Sequence, residues 1–360
     1  MAGYKKNVPL GTRDIMFGEA TLYRNLRNRL TGLYTRLGFS EIMTPGIEYY
    51  DVFEAGSTLP QESMYKLTGS DGRLLVMRAD NTTPIARVAA CKLPEDRVTR
   101  LFYHQRIYRL SEGYKGRRSE IMQSGVEIIG ASGIQSDLVC IHTALETLSE
   151  VCGDYKLELG HVGYYNAMIS ELGLDRELEG RIRKLVEAKD AGKIEKYEKI
   201  RKIPFLFGGA EVFPEAAELA KGNGKALAAL EYLKKVYTAL CEAGYKDRIL
   251  IDLGIVHSLD YYTGLVIKGY MEGAGEPVLA GGRYDTLVSK FDRDMPATGF
   301  GVNVSEIAET LMREKPKSGV ADGISGEEIS FDEKSFPEAV RYLRENPGSC
   351  LSVAHTENDV

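Results

Sequence analysis

The chain has 360 residues, of which 43% are hydrophobic and 27% charged, an ordinary globular make-up and roughly two domains' worth of chain at about 100–200 residues each. That composition excludes disordered, collagen-like and low-complexity classes, and no run approaches the roughly 18–20 uncharged apolar residues of a membrane helix. The 46 basic and 52 acidic residues leave a net charge of −6, which argues against a large nucleic-acid footprint, usually a basic stripe or patch.

The opening MAGYKKNVPLGTRDI has two lysines but no apolar run, so no secretory signal is read. Leu22, Leu26, Leu30, Leu33 and Leu37 then recur at intervals of three and four, one buried helical face closed by Gly38. FSEIMTPGIEYY is strand-like, and its Pro45 fits an edge or interface position rather than a central strand. SMYKLT and RLLVMRA around the turn GSDG form one expected hairpin, and TPIARVAACKL a helix. LFYHQRIYRL and SEIMQSGVEIIG, joined by SEGYKGRR, form a second hairpin. Two hairpins indicate an antiparallel sheet, not a doubly wound parallel one.

A helix from Asp137 to Val151 and the strand YKLELGHVG follow. Residues 164–245 read as almost wholly helical, with one stripe at Leu178, Ile182, Leu185 and Val186 and another at Leu230, Leu233, Tyr237 and Leu240 that Gly244 ends. Strands resume at RILIDLG, DYYTGLVIKGY, EPVLAGGRYD and ATGFGVNV, the last running into a helix. Residues 315–330 are a Gly/Ser/Pro-rich linker. Ser335 and Glu338 stand in capping-box spacing before the helix FPEAVRYLREN and the strand CLSVAH. The expected organisation is an α+β core over 1–314 with a helical insertion at about 164–245, the linker, and an α/β stub over 331–360, too short to bury much core alone.

No Walker A loop, HExxH, GxSxG or dinucleotide fingerprint is present. Cys91, Cys140, Cys152, Cys241 and Cys350 form no CxxC pair, and His104, His142, His161, His257 and His355 stand at no helical metal spacing. No disulfide framework, metal or cofactor is therefore expected, and a reducing cytoplasm fits best.

Three segments carry polar residues that need explaining. In VMRADNTTPIARV, Asp80 and Thr82 stand at a strand end before a helix. They either cap that helix or hold an ammonium group. In SEIMQSGVEIIG, Gln123 and Glu127 are four apart and so share one strand face. Burying them there is costly without partners, so they mark a polar pocket with apolar Val126 and Ile128 as neighbours. Tyr261, Tyr262, Gly281 and Gly282 lie in two further strands, where adjacent glycines admit a ligand or another backbone. Arg106 and Arg109 do not share a face; Arg109 is a candidate phosphate-binding residue or else a partner of acids such as Glu120.

In order, over roughly residues 8–312, these segments resemble the core of class II aminoacyl-tRNA synthetases, in the histidyl-tRNA synthetase branch. LGTRDI resembles the family's opening, and GFSEIMTPGIE its motif 1, with Pro45 as the dimer-interface proline. Motif 2 is matched from Tyr108-Arg109 to QSGVEIIG, and motif 3 by AGGRYD and ATGFGVNV; LDYYTG resembles the signature that closes over histidine. The resemblance implies that Asp80, Thr82 and Gln123 contact the α-amino group and that Glu127 and Tyr262 contact the imidazole. Tyr261, Gly281 and Gly282 belong to the same implied histidine-binding pocket, with no catalytic residue and no metal.

The departures are as informative. Glu306 stands where the synthetases' motif 3 ends in an arginine, His257 where an arginine precedes the LDYY signature, and Ser111 where motif 2 has a glutamate. Arginine to glutamate changes the local charge by two units, and each unit pair at about 4 Å is worth roughly 4 kcal/mol at an effective dielectric near 20. The anticodon-binding domain is reduced to the tail. The resemblance thus implies a pocket whose histidine half is kept and whose ATP half is dismantled, a combination that resembles the synthetase-like regulatory subunits of ATP phosphoribosyltransferase. RADNTTPIARV, LGHVGYYNAMISELGL and the insertion with FLFGGAEV also resemble that subfamily. It implies a non-catalytic protein that partners the short catalytic subunit in the first step of histidine biosynthesis and transmits histidine feedback. It further implies a homodimer core inside a larger hetero-oligomer, with no tRNA and no membrane. The alternatives are a truncated or divergent histidyl-tRNA synthetase, or a synthetase-like protein with another amino-acid or adenylation role.

Overall fold

A computed structural model of the chain describes residues 6–57, 59–110, 118–256, 262–314, 327–331 and 334–352. The leucine stripe forms helix α1 (Phe17–Arg36), which buries Leu26, Leu30 and Leu33, and Gly38 turns the chain at φ +81°. Two short strands follow, β1 (Ser40–Glu41) and β2 (Ile47–Tyr49), then α2 (Tyr50–Gly56), β3 (Lys66–Thr68), β4 (Leu74–Met77) and α3 (Thr82–Lys92). The long hairpin β5 (Thr99–Tyr108) and β6 (Glu120–Ile129) leads to α4 (Ile134–Val151) and β7 (Tyr155–His161).

The insertion comprises α5 (Val162–Ser170), α6 (Arg176–Glu187), α7 (Glu198–Lys202), β8 (Phe207–Gly208), α8 (Val212–Leu219) and α9 (Gly224–Leu240). Both expected stripes hold: Ile182, Val186, Leu230, Leu233, Tyr237 and Leu240 are buried, while Leu178 and Leu185 pack partly buried beside them. Strands β9 (Ile249–Asp252), β10 (Leu265–Met271), β11 (Leu279–Arg283) and β12 (Ala297–Asn303) complete the sheet before α10 (Val304–Glu314). In the tail, β13 (Glu328–Ile329) and β14 (Cys350–Leu351) pair in parallel around α11 (Phe336–Glu345).

Among the described residues the main sheet has nine strands in the order β1-β5-β6-β12-β11-β10-β7-β9-β8. Its six central strands are antiparallel throughout, as the hairpins indicate. The edges differ from the expected all-antiparallel sheet, because β1 joins β5 and β9 joins β7 in parallel. Each of those strands is reached through a helix rather than a tight turn, and such connections permit parallel pairing. The insertion is not purely helical either, since β8 pairs with β9. The β3–β4 hairpin stands apart in a three-stranded sheet with β2. Pro45 lies in the exposed link between β1 and β2, where its carbonyl accepts from Arg78 Nη1 at 2.9 Å.

The sheet's two faces do different work. One carries Phe102, Val126, Ile128, Leu157, Leu159, Ile267, Phe300 and Val302 against α1, α4, α5 and α9, in the main hydrophobic core. Each large aliphatic side chain fully buried there contributes about 1.5–3 kcal/mol. The other face carries a smaller core of Leu101, Tyr103, Ile129, Tyr284 and Ala297 under α3. The candidate site lies on this second face.

Candidate functional site

Side chains on a strand alternate between faces, so Gln123, Gly125 and Glu127 of β6 all point to the α3 side. The register brings Glu127 opposite Gly299 on β12, Gly299 opposite Gly282 on β11, and Gly125 opposite Gly301. The result is a floor of glycines across three strands, on which longer polar side chains lie flat. A Cβ at Gly301 would stand 2.7 Å from Gln123 Nε2, and one at Gly125 would overlap the Tyr103 ring. A Cβ at Gly299 would overlap the Glu127 carboxylate itself. Gly299→Ala is therefore expected to displace Glu127, with about 1–3 kcal/mol of destabilisation, read by urea unfolding.

Glu127 is 1% exposed. Its carboxylate accepts from Thr82 Oγ1 at 3.0 Å and from the Tyr284 hydroxyl. Burial pushes its pKa up to about 8, against the lowering effect of the Tyr284 and Thr82 hydrogen bonds, and nearby Asp80 adds to the rise. Val126 and Ile128, expected as its apolar surroundings, point to the opposite face; Tyr284, Thr82 and the glycine floor enclose it instead. Burial likewise raises the Tyr103 hydroxyl well above its usual pKa, with Glu127 nearby contributing.

Asp80 takes the first of the two roles its position allows, as a cap. Its Oδ1 accepts the backbone N–H of Thr83 at 2.7 Å, and its Oδ2 accepts from the hydroxyls of Thr83 at 3.1 Å and Ser57 at 3.3 Å. It thus caps the start of α3 while remaining half-exposed beside the floor. Asn81, 1% exposed, donates from Nδ2 to Gln123 Oε1 at 2.8 Å, and its Oδ1 is buried without a partner among the described residues. A buried acceptor left unmade costs about 1–3 kcal/mol, so this oxygen is suited to a donor brought by a ligand.

The structure gathers Asp80, Thr82, Gln123, Glu127 and Gly282 at one place, and the Tyr262 ring lies against Gly282. Gly281 is corrected out of it: period-two alternation puts it on the other face, where a Cβ would meet Phe300. Tyr261 and His257 lie outside the described residues, as does Ser111. Arg109 Nε donates to the Ala79 carbonyl at 2.7 Å, steadying the residue before Asp80. Its expected partner Glu120 is engaged instead by Arg106 at 3.1 Å and Tyr108 at 3.4 Å. Glu306 sits in the first turn of α10, paired with Arg313 at 3.4 Å.

Sequence reasoning missed Asn81 and Tyr284. Tyr284 follows Gly282 by two residues and so shares its face, a signal present in AGGRYD. Among the described residues no group of three His, Cys, Asp or Glu side chains is placed to hold a metal ion.

This sheet, its glycine floor and its buried glutamate define a histidyl-tRNA synthetase-like core. The histidyl-tRNA synthetase family model matches residues 11–307. The histidyl-tRNA synthetase of Nostoc sp. PCC 7120 shares the fold, with a TM-score of 0.78 over 98% of this chain and 87% of that one at 18% identity. Within that class, the chain belongs to the family of ATP phosphoribosyltransferase regulatory subunits. The regulatory subunit of Clostridium kluyveri is 40% identical over 329 residues, 86% of this chain and 83% of that protein. The Clostridium botulinum (strain Langeland) protein is 38% identical over 88% of this chain and 79% of its own length. A crystal structure described as an ATP phosphoribosyltransferase regulatory subunit/histidyl-tRNA synthetase from Bacillus halodurans has a TM-score of 0.86, with 29% identity over 99% of this chain and 95% of that one.

Proposed function

We propose that this chain is a non-catalytic regulatory subunit that binds histidine on the glycine floor and partners a short-form ATP phosphoribosyltransferase catalytic subunit in the first step of histidine biosynthesis. The observation that carries the reading is the buried Glu127 carboxyl, held by Thr82 and Tyr284, with Asp80 and the open Asn81 Oδ1 on neighbouring residues. An imidazole N–H finds its acceptor in Glu127, and an α-ammonium finds Asp80, Asn81 Oδ1 and Gln123 Oε1. Histidine is a ligand with both groups. Feedback then requires that histidine favour one of two states of the complex.

The other half of the ancestral site supports loss of adenylation. Glu306 brings negative charge where the synthetases place an arginine, and it is tied to Arg313. Arg109 remains a phosphate-binding candidate, with its Nε already committed to the backbone of Ala79. A homodimer built on the motif 1-like segment is supported by Met43, Ile47 and Tyr49, which expose 76%, 50% and 47% of their surface there. No described helix is long and apolar enough to cross a membrane, and a cytoplasmic location and independence from tRNA complete the proposal.

The test is co-purification with a short catalytic subunit, followed by phosphoribosyltransferase assay with and without histidine. The expected result is a stable complex, active only when both chains are present and inhibited by histidine. Histidine-dependent ATP–pyrophosphate exchange at synthetase-like rates would instead establish the divergent histidyl-tRNA synthetase.

A further inference from the structure

On the helical side of the sheet, across from the glycine floor, α5 and α9 leave an open cleft of about 500 Å³, within the usual range of small-molecule sites. Ala167, Ala228, Ala229 and the Tyr232 ring form its apolar walls; its other polar residues are His161, Asn166, Ser170 and Lys225. Among the described residues no carboxylate lines it, in a chain where acids outnumber bases.

The polar groups can be sorted by what they have left to offer. Ser170 already donates its hydroxyl proton to the Ala167 carbonyl at 2.9 Å, and Tyr232 donates to Asp137 at 2.8 Å. His161 Nδ1 accepts the Gly163 N–H at 3.1 Å, which places the neutral ring's proton on Nε2. Burial pushes that ring's pKa down to about 4, so it is a neutral donor near pH 7. Tyr232 packs edge-on against it with centroids 5.8 Å apart, holding the ring in place. Three donors thus remain without a partner among the described residues: His161 Nε2–H, the Asn166 amide and the Lys225 ammonium.

We propose that this cleft is a second ligand site, and that it takes a small monocarboxylate with an apolar body. One ammonium and two neutral donors match a single negative charge, and the alanine walls and Tyr232 ring match a flat or branched hydrocarbon. An amino-acid zwitterion would bring an ammonium that finds no carboxylate in the lining, so the cleft is distinct in chemistry from the Glu127 site.

The test titrates the full chain calorimetrically with benzoate, isovalerate, benzamide and phenyl phosphate. At least one carboxylate is expected to saturate with one site per chain, and benzamide to bind about tenfold more weakly than benzoate or worse. Lys225→Ala is expected to weaken carboxylate binding by about tenfold. Ala228→Phe, at an exposed position on the wall, is expected to abolish it with the thermal midpoint unchanged. Absence of saturable binding by both carboxylates, or equal binding in Ala228→Phe, overturns the site. Tighter binding of phenyl phosphate overturns the monocarboxylate assignment, and stoichiometric displacement of benzoate by histidine would place both ligands in one site and overturn the separation.

Discussion

Glu127→Gln is expected to remove a pH dependence from the protein's stability and, in the same step, to remove the histidine response proposed for it. The carboxyl's pKa is about 8 in the folded chain, against an ordinary value near 4.3 in the unfolded chain. A carboxyl with a raised folded pKa holds its proton in the native state over a range where the unfolded chain has released it. Its stabilising contribution is complete below about pH 4 and is lost progressively as pH rises toward 8, where the native group also ionises. The full swing is on the order of a few kcal/mol, at 1.36 kcal/mol for each pH unit separating the two pKa values. Because buried His161 and His104 add stability as pH rises toward 6.5, the effect is read as a difference: between about pH 5 and pH 9 the wild-type urea midpoint should fall relative to that of Glu127→Gln. The amide keeps the side chain's size, so the variant stays folded; Glu127→Ala also stays folded but leaves a cavity. Both variants are expected to weaken histidine inhibition of the reconstituted complex at least about tenfold. Feedback that survives either change would remove Glu127 from the effector site.

That site was partly legible in the chain and partly not, for a reason of geometry. The even spacing of Gln123 and Glu127 places them on one strand face whatever the rest of the fold does. The leucines of α1 and the stripes of α6 and α9 are similarly local signals. Tyr284, by contrast, reaches Glu127 across β12, and the sequence does not state which strands are neighbours or in which register. The glycines were visible, but that Gly299 and Gly282 line up with Glu127 is a property of the assembled sheet. The same limit explains Arg109. Acidic neighbours such as Glu120 were its expected partners, whereas folding brings the Ala79 carbonyl to its Nε. Strands β1 and β8 are two residues long, too short for any period to appear.

Asp137→Asn is expected to be the most damaging single change outside the site. Asp137 is 1% exposed and meets Arg283, 6% exposed, with Nε at 2.9 Å and Nη2 at 2.7 Å. The guanidinium is also held by Ser136 Oγ at 2.6 Å, by the carbonyls of Ala131 and Gly133 at 3.2 Å, and by Asp285 at 2.8 Å. Tyr232 of α9 donates to the same aspartate at 2.8 Å. One buried pair therefore ties α4, β11 and the insertion together. Removing one partner of such a pair leaves an uncompensated buried charge and costs about 3–5 kcal/mol, whereas replacing both with apolar groups of similar volume is often close to neutral. Urea unfolding of Asp137→Asn should show that loss, and the double variant Asp137→Leu/Arg283→Met should recover most of it. A single-variant cost below about 1 kcal/mol would show that the remaining acceptors, Asp285 above all, suffice for Arg283. The site should feel the change as well. The Arg283 carbonyl accepts the Thr263 N–H at 2.8 Å beside Tyr262, and the next residue is Tyr284, whose hydroxyl holds Glu127. Loosening Arg283 on one face of β11 thus loosens both tyrosines on the other, and histidine inhibition should weaken in Asp137→Asn even under conditions where the variant remains folded.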